Sequence, residues 1–199
     1  MSKTVQRSVA RKEAKGARAA AVLVPLCEIG GELSCVFSVR SSQVSTHKSQ
    51  VSFPGGHRER GETAVEAALR ETSEEFGRAF SRGFVAVDTC APVLAITGTV
   101  VTSVVGCRSE PLDDLAAIAA DVSEAEVSEV FALPLTHLLD DAHREVRDYP
   151  QRGRMPVFHG GPEEIWGLTA YILDGVLQKL VRPCWDLPCR GEEDTAMFP

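Results

Sequence analysis

Aromatic side chains are scarce in this sequence: two tryptophans, two tyrosines and eight phenylalanines among 199 residues. No dense stripe of basic and aromatic residues forms anywhere, which argues against a nucleic-acid-binding protein. Charge points the same way. Residues 1–82 hold 13 Lys and Arg against 9 Asp and Glu, the rest 8 against 19, and the whole carries −7. No apolar run approaches the ~18 residues of a spanning helix, so no membrane span is expected. The six cysteines (27, 35, 90, 107, 184 and 189) contain no C-x-x-C spacing, and a zinc site lacks ligands at useful intervals. Most sit in apolar, strand-like runs, where buried and reduced thiols of a reducing compartment are expected. Cys184 and Cys189, in "RPCWDLPCR", form either a pair in an oxidising setting or part of a plain surface tail. Neither a repeat nor an internal linker divides the chain.

What is present is enough for one domain. At 199 residues and 44% hydrophobic content, a sizeable core is expected. The expected organisation is a basic segment at 1–18, a folded domain at 19–182 and a tail at 183–199. "AAAVLVPLCEIGGELSCVFSVR" reads as two strands around the turn "EIGGE". "QVSFPGG" is a short strand that ends at Pro54. A helix follows at about 62–76, stopped by Gly77. "GFVAVDTCAPVLAI" and "TVVTSVVGCR" suggest a second hairpin, and "LDDLAAIAAD" a helical turn. "EVSEVFALPL" is a strand leading to a short helix near 134–141. "REVRDYP" and "MPVFHG" form a third hairpin, and 163–181 a long amphipathic helix. This order predicts an α/β fold with a mixed sheet between helical layers.

The first 18 residues hold six basic residues and one acid. Two readings stand: a mitochondrial-type presequence, or a disordered basic tail. The protein is expected inside the cell, in the mitochondrial matrix under the first reading and the cytoplasm under the second.

The stretch "GGHRERGETAVEAALRETSEEFGR", Gly55 to Arg78, raises the functional question. On a helix over 63–76, Val65, Ala68, Leu69, Thr72 and Phe76 form one apolar stripe. Glu71, Glu74 and Glu75 stand at i, i+3 and i+4, so their carboxylates cluster on one flank. Like charges this close repel by about 0.2–0.5 kcal/mol per exposed pair. They also lie at the helix C-terminus, where the macrodipole disfavours anions. A solvated face is the plain reading. The sharper one is a site for Mg²⁺ or Mn²⁺, which take oxygen ligands and share them with phosphates.

Longer spacing decides between them. Gly56, five residues, Glu62, seven residues and "RETSEEFG" from Arg70 to Gly77 resemble the Nudix box of nucleoside-diphosphate-linked hydrolases. Gly56, Glu62, Arg70, Glu71, Glu74, Glu75 and Gly77 all match, while Thr72 and Arg78 stand where the pattern has aliphatic residues. Upstream, "FSVRSSQVSTHKSQVSFPGG" resembles the extra motif of the coenzyme A diphosphatase branch. Arg40, Ser41, Phe53, Pro54, Gly55 and Gly56 match, whereas Ser45 replaces an Arg and Ser49 a Gly. "EVSEVFALPLTHLLDD" and "EEIWGLTAYIL" are similar to later segments of that branch. The resemblance implies a Nudix α/β/α sandwich and metal-dependent hydrolysis of coenzyme A or acyl-CoA. The products would be 3′,5′-ADP and an (acyl-)4′-phosphopantetheine.

Each site residue has an expected role. Glu71 and Glu75 are the first choices for metal ligands, with Glu74 completing the cluster or accepting the water's proton. Gly55 and Gly56 allow backbone conformations closed to other residues, which lets a carbonyl, assigned to Gly56, approach the metal. Glu62 reaches back to the metals or to Arg70, and Arg70 holds glutamates by bidentate pairing. Arg40 either meets a substrate phosphate or is a strand-end surface charge. His47 and Lys48 lie in the loop before the Phe-Pro-Gly-Gly run, where they stand in for the charge lost at Ser45. The substrate is expected to be a small nucleotide. Its rivals are ADP-ribose, a dinucleotide or a damaged nucleotide, and a binding protein without turnover is the other class. A homodimer is left open.

Overall fold

The computed structural model describes residues 16–41, 50–119, 122–123, 125–150 and 153–185. Its first strands, β1 (Ala19–Ile29) and β2 (Glu32–Arg40), are the expected hairpin, paired from Leu26↔Cys35 to Ile29↔Glu32. Gly30 and Gly31 close it at φ of 58° and 85°. Two positive φ in succession suit a tight hairpin, and glycine adopts them without strain. Beyond Leu26 the two strands part. β3 (Val51–Ser52) stays with β2, while β4 (Gly55–His57) crosses over to the first half of β1. The sequence suggests only the strand that ends at Pro54. β4 is a second one, hidden because its glycines carry no strand propensity.

The remaining strands complete a mixed sheet. β5 (Phe84–Thr89) and β6 (Val93–Leu94) pair antiparallel with β7 (Val100–Arg108), and β7 runs parallel to β1. β8 (Val127–Pro134) is antiparallel to β2. The third expected hairpin is a separate pair, β9 (Arg144–Tyr149) and β10 (Gly153–Phe158).

Alternation along β1 sends Ala21, Leu23 and Cys27 to one face of the sheet and Ala20, Val24 and Leu26 to the other. Helices α1 (Ala64–Phe76) and α2 (Arg78–Ser81) cover the first face, near the short α3 (Ala116–Ala119). There Phe76, Phe80 and Phe84 pack in sequence, the first pair tilted and the second edge to face, with ring centroids 5.4 and 5.0 Å apart. Helices α4 (Leu135–Leu139) and α5 (Gly167–Val176) cover the second face. Phe37 lies between Phe53 and Phe131 there, at 5.2 and 5.4 Å. Each such ring contributes about 1.5–3 kcal/mol by leaving water. The result is the helix–sheet–helix sandwich that the order of elements predicts.

Two details depart from expectation. The buried stripe of α1 is Ala67, Ala68, Thr72, Glu75 and Phe76, rotated away from Val65 and Leu69. Thr72 tolerates full burial because its hydroxyl donates to the Ala68 carbonyl at 2.6 Å. Helix α5 begins at Gly167, not at 163. Ile165 exchanges both backbone hydrogen bonds with Phe158 at 2.9 Å, so its amide is committed to a strand bridge. Past Val176 the helix widens into a π-helical turn, Leu177–Val181, and ends in α6 (Arg182–Trp185). Among the described residues, no helix is long and apolar enough to cross a membrane. Cys27 and Cys35 are buried in the core, and burial pushes the Cys27 thiol up to about 12. Cys189 lies outside the described residues.

Candidate functional site

Helix α1 is positioned from its first residue. Thr63 caps it by accepting from the Glu66 amide at 3.2 Å, and Glu66 accepts in return from the Thr63 amide at 2.8 Å. This capping box satisfies two amides that would otherwise lack partners, at a worth of about 1 kcal/mol. The carboxylates of the helix then divide into two groups.

The first group gathers around Arg70. Its Nε donates to Glu62 Oε1 at 2.9 Å and a terminal nitrogen to Glu62 Oε2 at 3.2 Å, a bidentate pair. The other terminal nitrogen reaches Glu71 at 3.0 Å and Glu74 at 3.2 Å. Arg70 also donates to the His57 carbonyl at 3.0 Å, which ties the helix to β4. Hydrogen bonds from Arg70, then from the Glu59 amide, hold the Glu62 carboxyl below its ordinary range. Arg70 thus bonds three glutamates at once, Glu62 by two nitrogens. The repulsion between Glu71 and Glu74 is therefore offset, because one guanidinium joins both of them to Glu62.

Glu75 stands apart. Its side chain faces inward and the residue is 4% exposed, with Oε2 accepting from the Gly55 amide at 3.3 Å. Burial first, and then the nearby Glu126 charge, push its carboxyl up to about 8, while Arg40 and the Gly55 amide oppose the rise. Glu71 is raised as well, by burial first, against the lowering pull of Arg70. A buried carboxylate that resists ionisation is a group prepared to exchange its proton for a cation. Among the described residues, no three of His, Cys, Asp or Glu already converge as a metal-binding group. Arg70 draws Glu74 outward, with 59% of its side chain exposed, and away from Glu75.

The two glycines serve different ends. Backbone bonds from Leu23 to Pro54 and from Arg58 to Ala19 bracket β4. Alternation along an antiparallel ladder then makes Ala21 and Gly56 a bonded pair and turns the Gly55 amide and carbonyl outward. Gly55, not Gly56, thus presents its backbone to Glu75. A Cβ on Gly55 would lie 2.3 Å from the Ala21 carbonyl oxygen. At Gly56 a Cβ would meet all three carboxyl atoms of Glu71 at 2.5 Å. Gly56 is needed so that Glu71 can lie against the strand.

Arg40 ends β2, where the pairing with β8 shifts register, and its charge acts on Glu75. Its Nε is buried and has no hydrogen-bond partner among the described residues. This is not the setting of a plain surface charge. His47 and Lys48 lie outside the described residues, as does Ser45. Glu126 was not singled out from the sequence. It is 51 residues from Glu75, and only the pairing of β8 with β2 brings the two together. The Ser41 amide donates to the Glu126 carbonyl at 2.8 Å, and the Ser123 amide to the Glu75 carbonyl at 3.1 Å. No spacing rule carries that signal.

Known proteins resemble this chain over most of its length. The NUDIX domain description matches residues 17–152. The mitochondrial coenzyme A diphosphatase NUDT8 of Homo sapiens is 36% identical over 210 residues, covering 95% of this chain and 82% of that protein. The peroxisomal coenzyme A diphosphatase NUDT7 of Mus musculus is 33% identical over 164 residues, covering 80% of this chain and 65% of that one. Among solved structures, a Nudix hydrolase from M. smegmatis, RenU, aligns at 24% identity with a TM-score of 0.48, over 60% of this chain and 72% of that chain.

Proposed function

This chain belongs to the Nudix family and is a Nudix hydrolase, and from that premise we propose that it cleaves the diphosphate of coenzyme A or its thioesters. The products are 3′,5′-ADP and (acyl-)4′-phosphopantetheine. The observation that carries the reading is the buried Glu75, held at the Gly55 amide and faced by Glu71, Glu126 and Arg40. The choice of coenzyme A is supported by the named activities of the relatives and by Gly55, the third residue of the Phe-Pro-Gly-Gly run, standing at that contact.

The donor set fits a divalent cation. Carboxylates and an outward backbone carbonyl are hard oxygen ligands, and the raised Glu71 and Glu75 are groups that a cation would relieve. Glu71 and Glu75 would hold Mg²⁺ or Mn²⁺, with a glycine carbonyl of β4. Such an ion neutralises phosphoryl charge and makes a water nucleophilic near neutral pH. The chain's own residues do the rest. Arg70 and Glu62 are positioning residues that keep Glu71 in one rotamer. Glu126, whose charge acts on Glu75, joins Glu74 as a candidate proton acceptor, Glu74 itself being held by Arg70. Arg40 supplies a positive charge beside Glu75 that would attract a substrate phosphate. Water on one face of the phosphorus and the leaving phosphate on the other complete an in-line displacement.

The test is turnover of coenzyme A, 3′-dephospho-coenzyme A and ADP-ribose with Mg²⁺, Mn²⁺ or EDTA. Coenzyme A is expected to be cut best, and EDTA to abolish the reaction. Faster cleavage of ADP-ribose would replace the substrate and leave the chemistry standing. The basic segment 1–18, together with the mitochondrial relatives, supports import into mitochondria. A reporter fused behind residues 1–25 that stays in the cytosol would remove that part.

A further inference from the structure

A cavity of about 450 Å³ opens on the other face of the sheet, between the β5–β6 edge and helix α5 with its π turn. That volume is in the range of a small-molecule site. Two irregularities build it. On the sheet side, β5 bulges between Ala86 and Asp88, and the chain leaves β7 after Cys90 and returns only at Val93. On the helix side, the π turn puts Gln178 and Lys179 at the rim. Bulges and π turns each give up regular hydrogen bonding, and both occur preferentially at functional sites.

Gly175 adds an independent sign. It sits inside helix α5 and lines the cavity, and an added Cβ would find nothing within 4 Å. Gly106, in contrast, needs its hydrogen because a Cβ would lie 2.8 Å from Leu23. A mid-helix glycine costs about 1 kcal/mol relative to alanine. At Gly175 no neighbour demands it. What glycine keeps there is open volume.

The cavity lies level with the catalytic cluster. Gly55 pairs with Val22, Val22 with Ser103, and the Cys90 amide donates to the Ser103 carbonyl at 2.9 Å. Three strand spacings separate Gly55 from Cys90, about 14 Å in all. The walls are apolar at Val93, Ile172 and Leu180, with polar groups at Thr89, Ser103 and Gln178. Its charges are Asp88 and Asp174 against Lys179, and Asp174 is held by Arg144 at 2.8 Å. A phosphate gains little there. An uncharged chain bearing amides fits the walls and the polar groups.

We propose that this cavity holds the thiol end of the substrate's pantetheine arm, so that the diphosphate lies at Glu75 and the nucleotide end points away. The inference rests on the coenzyme A reading above. The arm's backbone is about as long as four extended residues, roughly 14 Å, which spans the separation.

The experiment uses the full-length protein and two probes that need no turnover: free pantetheine and adenosine 3′,5′-bisphosphate. Calorimetric titration compares the wild type with Gly175→Leu, which fills the cavity, and with Gly175→Ala, which barely does. Gly175→Leu is expected to weaken pantetheine at least tenfold and leave adenosine 3′,5′-bisphosphate unchanged. KM for coenzyme A rises by a similar factor. Should Gly175→Leu fold poorly, Gln178→Trp blocks the mouth from an exposed position and is expected to act alike. Unchanged pantetheine affinity in the filled variant, no pantetheine binding by the wild type, or a loss confined to the bisphosphate overturns the proposal. A wild type that cuts coenzyme A with KM untouched by Gly175→Leu refutes the cavity alone. A wild type that leaves coenzyme A intact refutes the activity.

Discussion

Helix α1 is fixed at every turn: a capping box at Thr63, alanines and Phe76 against the sheet, and an arginine that ties it to β4. Helix α5, on the opposite face, has no side-chain cap, starts from a glycine, carries another at 175 and widens into a π turn. The difference follows the tasks proposed for them. Carboxylates that must meet a small cation need positions good to a fraction of an ångström, and over-determined packing supplies that. A wall that must admit a flexible organic chain gains from looseness, and the irregular helix supplies it.

The contrast is broken most severely at Glu75. Glu75→Gln keeps the shape and removes the charge, so kcat is expected to fall by about a thousandfold or more while the circular dichroism spectrum is retained. Near-wild-type turnover in a protein that still binds metal would end the assignment.

Arg70→Lys probes the other half of the α1 site. A lysine keeps the positive charge but loses the fork that reaches Glu62, Glu71 and the His57 carbonyl together. Metal affinity or kcat/KM is expected to drop by about 10–100-fold. An effect under threefold would show that the fork is dispensable.

Stability against pH gives the next largest signal. Glu75 titrates at about 8 when folded, against an ordinary 4.5. Between those values the metal-free native state holds a proton that the unfolded chain has released. Stability therefore falls as pH rises from about 4.5 to 8, by on the order of a few kcal/mol. Chemical denaturation in EDTA measures the slope. Glu75→Gln should flatten it, and an equal slope in both proteins would place the effect elsewhere.

The smallest effects oppose each other in sign. Thr63→Ala removes the cap of α1 and is expected to cost about 1 kcal/mol. Gly175→Ala on α5 is expected to add about 0.5–1 kcal/mol, since the Cβ meets nothing. Melting temperatures that moved in the same direction would erase the distinction between the two helices.

Much of the α1 side was legible in the sequence, because the relevant contacts are local. Arg70 is one residue from Glu71 and four from Glu74, whereas the equally local capping box of Thr63 and Glu66 was not read from the sequence. Glu62 and Arg70 were joined by a long motif at fixed spacing. What was hidden depends on distant pairing or on backbone alone. Glu126 reaches the site only through the β2–β8 ladder, and β4 carries two glycines without strand propensity. The α5 side was read as one regular helix over 163–181, since "EEIWGLTAYIL" is apolar at helical intervals. Nothing in that periodicity reveals that Ile165 is bridged to Phe158, or that the helix changes pitch at Leu177.

The short strand β4 imposes a rule of parity. Gly55 faces the carboxylates because it is an odd step from Pro54 and Gly56, which belong to the ladder with β1. Losing or duplicating a single residue between Phe53 and His57 would exchange inside for outside, turning the amide at Glu75 into the ladder and freeing its neighbour. A change of two residues would restore the phase. Length variation among descendants of this chain should accordingly be found before residue 50, with the four positions Phe53 to Gly56 inherited as an indivisible unit.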